Sequence, residues 1–83
     1  MGANERLNKA ILEVVEIQIR QLEPPETKQT LDRLIREGYT EDEARRLIGC
    51  VVASEIFDVL KNMQPYDANR YVTALKNLPE LPE

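Results

Sequence analysis

The chain has 83 residues, 42% of them hydrophobic and 31% charged, which makes one small domain and no more. A domain of this size buries only about 60 to 65% of the surface its unfolded form exposes, so a second chain is a plausible source of further stability. Eleven Lys and Arg against fifteen Asp and Glu leave a net charge of −4 with no histidine to alter it, which argues against non-specific duplex binding.

Without histidine, Ser-His and Cys-His nucleophilic pairs are excluded, and the single Cys50 forms no internal disulfide and has no metal-ligand spacing around it. No cofactor is implied, and a reducing cytoplasm is the natural setting. The first twenty residues alternate charged and apolar groups instead of forming the basic start, apolar block and cleavage site of a secretory signal. No apolar run approaches the roughly 20 residues needed to cross a bilayer, so a soluble protein without a membrane partner is expected.

Four helices follow in chain order. From Asn4 to about Glu23, Leu7, Ala10, Ile11, Val14, Val15, Ile19 and Leu22 fall along one side, and Leu12 and Ile17 widen it past half the circumference. Pro24 and Pro25 end that helix, and the second proline suits the first position of the next. The second helix, Glu26 to Glu37, carries Thr27, Leu31, Leu34 and Ile35 on one face, and Gly38 closes it in a left-handed cap. Thr40 and Glu43 read as a capping box that starts the third helix. That helix has the longest apolar stripe, Ala44, Leu47, Ile48, Val51, Val52, Ile56, Val59, Leu60 and Met63. Gly49, Ala53 and Phe57 run beside the stripe with Cys50 next to them, so the third helix must touch neighbours on two sides. After Gln64 and Pro65, Asp67 caps a last helix with Ala68, Tyr71, Val72, Leu75 and Leu78 on one face, ending near Asn77.

The expected fold is all-α: a compact bundle of four helices over residues 1–78 with the long third helix at its centre. Residues 79–83 are expected to form a flexible proline-rich tail. Acidic residues precede basic ones by four at Glu16 and Arg20, Asp32 and Arg36, Glu41 and Arg45, and Asp42 and Arg46, a pattern that suits solvated helix faces.

Candidate chemistry is sparse. Glu13 with Glu16 and Glu55 with Asp58 lie one turn apart, as carboxylates of two-metal bundle sites do, but those sites also need histidines, and no metal site is expected. Cys50 is expected to be a small packed residue, with Arg46 one turn before it. Residues 34–48 form helix, glycine turn and capped helix, which superficially looks like a helix-turn-helix. Arg33, Arg36, Arg45 and Arg46 support that reading, whereas Glu41, Asp42 and Glu43 would meet phosphates head on. The Gly-aromatic turn before Glu43-Ala44 also resembles the turn through which ubiquitin-associated domains bind partners.

The stronger signal is apolar helix surface in excess of what one short chain hides. Gly49 and Ala53 allow close helix approach, and Phe57 offers an anchor. If the second and fourth helices do not cover them, Leu12, Ile17, Cys50, Ala53 and Phe57 form a self-complementary interface with Arg45, Arg46 and Asp58 as rim charges. The expectation is a non-enzymatic association or regulatory module that forms a homo-oligomer, in the first instance a dimer, or takes a protein partner. A weak nucleic-acid binder is the alternative.

The combination of Glu13, Glu16, Gln18 and Ile19, then Pro24-Pro25, Thr30-Leu31 with Arg33-Leu34, Gly38-Tyr39 with Glu43-Ala44, Ile48-Gly49, and Arg70-Tyr71 before Leu75 resembles a family of short bacterial proteins catalogued as a domain of unknown function. The resemblance spans nearly the whole chain and implies an all-helical cytoplasmic bacterial protein. Family members often carry histidines where this chain has Asn8, Leu12 and Arg46, which suggests a metal-binding ancestor; because this chain departs at all three positions, that chemistry does not carry over.

Overall fold

The computed structural model describes residues 2–82, with side chains from Glu5 onward. It contains four helices: α1 (Gly2–Gln21), α2 (Pro25–Arg36), α3 (Glu41–Asn62) and α4 (Ala68–Asn77). They form the expected all-α bundle, and no strand occurs among the described residues. The long α3 packs against α1, α2 and α4, so it is the central element. Glu83, the last residue of the expected tail, lies outside the described residues. Before it, Leu78 is buried and the Glu80 N–H donates to the Asn77 carbonyl in a turn.

Local chemistry sets the helix ends. Pro25 occupies the first turn of α2, where a missing N–H costs nothing. At the other end, the Gly38 N–H donates to the Ile35 carbonyl and the Tyr39 N–H to the Leu34 carbonyl, the paired bonds of a Schellman cap. Gly38 has φ +108°, a conformation that side chains oppose, and this is why glycine stands there. The Thr40 hydroxyl accepts from the Glu43 N–H at 3.1 Å while the Thr40 N–H donates to Glu43 Oε1 at 2.9 Å, completing the capping box. The Asp67 carboxylate accepts from the Arg70 N–H at 3.2 Å and opens α4 in the same way. We expect Thr40→Ala to lower stability by about 1 kcal/mol, read from urea denaturation midpoints; an unchanged midpoint would mean that the box contributes nothing.

Val15, Leu34, Ala44, Ile48 and Leu75 are fully excluded from solvent and form the centre of the core, with Ile11, Ile19, Leu31, Val51, Val52, Tyr71 and Leu78 around them. Several expected core positions lie outside it. Leu7 and Val14 of α1, Ile35 of α2, Ile56 and Leu60 of α3, and Met63 just past the end of α3 are exposed. α1 ends at Gln21, two residues short of the expected Glu23, because Leu22 takes a left-handed φ of 55°. That turn carries Leu22 off the helix face and into solvent. The 22 residues of α3 extend about 33 Å, farther than the 10-residue α4 and 12-residue α2 cover, which bares the last turns of its stripe.

The ion pairs are only partly local. Arg45 pairs with Glu41 at 3.7 Å, as the spacing predicts, but its shorter contact is 2.9 Å to Glu16 on α1. Asp32 takes Lys28 instead of Arg36, and Arg33 binds Glu37 while donating to the Leu75 carbonyl at the end of α4.

Candidate functional site

α1 and α3 run antiparallel: Glu16, late in α1, meets Arg45, early in α3, and Ile11 approaches Gly49 in the middle. A Cβ on Gly49 would lie 3.4 Å from Ile11 Cγ2 and 3.6 Å from Leu12 Cδ2, ordinary contact distances, so the two helices pack closely here without leaving less room than an alanine needs. Along one edge of that contact is a groove of about 300 Å³ lined by Asn8, Leu12, Arg46, Gly49, Cys50 and Ala53. Its floor is mainly apolar because small residues on α3 leave the branched side chains of α1 partly bare.

The structure sorts the expected interface residues into three groups. Leu12, Cys50, Ala53 and Arg46 meet in the groove, and Phe57 follows one turn beyond Ala53 on α3, 61% exposed with Lys61 Nζ 5.7 Å from its ring centroid. Ile17 is also exposed, but it lies about 140° around α1 from Leu12 and belongs to a different face. Arg45 is committed to Glu16 and Glu41 within the chain, and Asp58 is half-buried toward α4, where its charge acts on Arg70. Cys50 is exposed, not packed as expected, because it lies at the open lip of the groove.

Asn8, Leu12 and Arg46 come together in this groove. An amide, an alkyl chain and a guanidinium do not make a donor set for a metal ion. Of the carboxylates weighed as metal ligands, Glu16 is held by Arg45 and Glu55 by Arg70. Among the described residues, no three His, Cys, Asp or Glu side chains gather as a metal site.

Two polar clusters brace the opposite side of the α1 and α3 contact. Gln18 Oε1 accepts from the Thr27 hydroxyl at 2.8 Å and from the Tyr71 hydroxyl at 2.7 Å, tying α1 to α2 and α4. Burial pushes the Tyr71 phenol above its ordinary pKa, so at neutral pH it stays protonated and keeps donating. Glu55, 8% exposed, accepts from Arg70 Nε at 3.0 Å and Nη2 at 2.7 Å and from the Asp67 N–H at 3.3 Å. The Arg70 hydrogen bonds hold the Glu55 carboxyl below its usual range despite burial. Glu55 drew notice in the sequence only through its spacing from Asp58; its partnership with Arg70 on another helix has no local signal beyond the fact that Glu55 falls within the apolar register of Ile48, Val51 and Val52.

No protein-family model, curated protein or solved structure matches the chain. Among the described residues, no helix is long and apolar enough to cross a membrane.

Proposed function

We propose that this protein is a small non-enzymatic interaction module that buries the uncovered apolar surface of α1 and α3 against a second chain, with self-association as its principal mode. Its place among cytoplasmic bacterial proteins of the resembled family belongs to the same proposal. One observation carries the reading: Leu7, Leu12, Val14 and Ile17 on α1 and Ile56, Phe57 and Leu60 on α3 remain exposed after the bundle has closed, an apolar concentration of the kind that marks association surfaces. The engagement of Glu16 and Glu55 in ion pairs, and the lack of any base beside Cys50, favour binding over catalysis.

The nucleic-acid alternative draws less support. Of its four arginines, Arg33 and Arg45 are tied to carboxylates, and Glu41, Asp42 and Glu43 stand exposed at the start of α3. Sedimentation velocity at micromolar concentrations is expected to show a concentration-dependent dimer that survives without nucleic acid. A protein that stays monomeric while binding oligonucleotides with a steep salt dependence would overturn this reading in favour of the alternative.

A further inference from the structure

α3 turns one face into the bundle and leaves a second, apolar face without a covering helix. Ile48, Val52 and Glu55 are buried on the inner side, whereas Cys50, Ala53, Phe57 and Leu60 recur at intervals of three, four and three on the outer side, with Leu60 70% exposed. That interval is the seam of a two-helix coiled coil. The seam is graded in size, with cysteine and alanine in the middle of α3 and phenylalanine and leucine toward its end. The groove beside Gly49, Cys50 and Ala53 is the recess that this grading leaves, and Phe57 and Leu60 are the projections.

A second copy supplies projections that fit the recess. In an antiparallel pair, one register sets Cys50 beside Leu60 of the second copy and Ala53 beside Phe57 of the second copy, and two-fold symmetry repeats both layers. Every seam residue then meets an apolar partner, and each layer joins a small side chain to a large one, as close packing requires. A slip of one heptad toward the start of α3 would set Phe57 against Arg46 and Leu60 against Glu43. The opposite slip would set Phe57 against Leu60 and leave Cys50 and Ala53 beyond the end of the second copy's helix. A parallel pair would stack Phe57 on Phe57, Cys50 on Cys50 and Arg46 on Arg46.

Charge selects the same register. Arg46, one turn before Cys50, is in no ion pair among the described residues, and Glu43, on which its charge acts, is already held by Thr40. At the end of α3, among the described residues, the carbonyls of Leu60, Lys61 and Asn62 accept from no loop N–H, unlike Leu34 and Ile35 of α2, which accept from Tyr39 and Gly38. Those open carbonyls are the negative end of the helix dipole. The register that fills the groove brings each Arg46 level with that end of the other copy's α3. We propose that the second chain is another copy of this protein, docked α3 to α3 in antiparallel fashion, with Phe57 and Leu60 of each copy filling the groove at Cys50 and Ala53 of the other. This rests on the self-association reading above and specifies its contact.

Disulfide trapping tests the register at a position that the fold does not use. Leu60→Cys should form a disulfide-linked dimer through the native Cys50 under mild oxidation, seen on a non-reducing gel, and adding Cys50→Ser should abolish the link. Ala53→Cys, which only the slipped register places beside Cys50, should stay unlinked. Phe57→Asp should sediment as a monomer where the wild type is dimeric, with an unchanged thermal midpoint at dilutions where only the monomer is present. Arg46→Gln should weaken the dimer about tenfold at low salt, and less at high salt, since two symmetry-related contacts are lost. A wild-type dimer that leaves Leu60→Cys unlinked, or that survives Phe57→Asp, would overturn the α3 pairing while leaving self-association in place. A link in Ala53→Cys would overturn the register. A wild-type protein that remains monomeric at every concentration would overturn both the pairing and the reading it rests on.

Discussion

Ile48→Ala should unfold much of the population under conditions where the parent is fully folded. Ile48 is completely excluded from solvent in the middle of α3. Removing its branched chain loses transfer energy and leaves a cavity that close-packed neighbours fill only in part, at a cost of about 2 to 5 kcal/mol. An 83-residue domain has a total of roughly 4 to 12 kcal/mol to lose, so the loss is a large share of it and moves the variant's denaturation midpoint well below the parent's. Ile56→Ala makes the same chemical change eight residues further along α3, at a position that is 43% exposed, and should shift stability by no more than about 0.5 kcal/mol. Thermal and urea melts of the pair measure the difference directly. Equal losses would mean that the core does not lie where the structure puts it.

The second large effect is expected at Glu55. Glu55→Gln keeps the shape of the side chain but loses the charge that makes its two bonds to Arg70 strong, at a cost of about 1.5 to 3 kcal/mol near neutral pH. The lower end is favoured because the Arg70 side chain is 36% exposed and can turn to water. The pH dependence has a definite sign. Arg70 holds the folded carboxyl below its ordinary 4.5, so on acidification the unfolded chain takes up the proton first. The stabilisation is therefore complete above about pH 4.5 and disappears as pH falls through the lowered folded value. Urea midpoints of the parent and Glu55→Gln should differ at pH 7 and converge as the pH falls through the lowered folded value. A constant gap between them would show that the charge is not what matters. Glu43, whose carboxyl is also held low by its bonds to Thr40, adds acid sensitivity of the same sign, common to both proteins.

What could be read from the sequence, and what could not, divides by distance along the chain. The Thr40 and Glu43 box, the Gly38 turn and the Asp67 cap were legible because each is complete within six residues. The number of helices follows from those punctuation marks. Orientation was harder: apolar residues cover so much of α1 that periodicity does not say which face turns inward, and Leu7 and Val14 proved to be outside while Ile11 and Val15 are inside. The ion pairs show the same limit. Arg45 prefers Glu16, 29 residues away, and Arg70 reaches Glu55 across 15, distances at which no spacing rule operates. Of the expected interface, Leu12, Cys50 and Ala53 came together in the groove where α1 packs beside Gly49 of α3, whereas Ile17 and Asp58 lie on other faces, because no local signal says how the helices cross.

Gln18 gives the first helix an all-or-none character. One carbonyl oxygen receives two hydroxyls from two different helices, and both donors, Thr27 and Tyr71, are shut away from water. Any excursion that lifted α1 slightly would strand both hydroxyls at once before solvent could reach them, so partial detachment gains little freedom for its loss. The helix whose outer face stays uncovered is thereby kept rigid from behind.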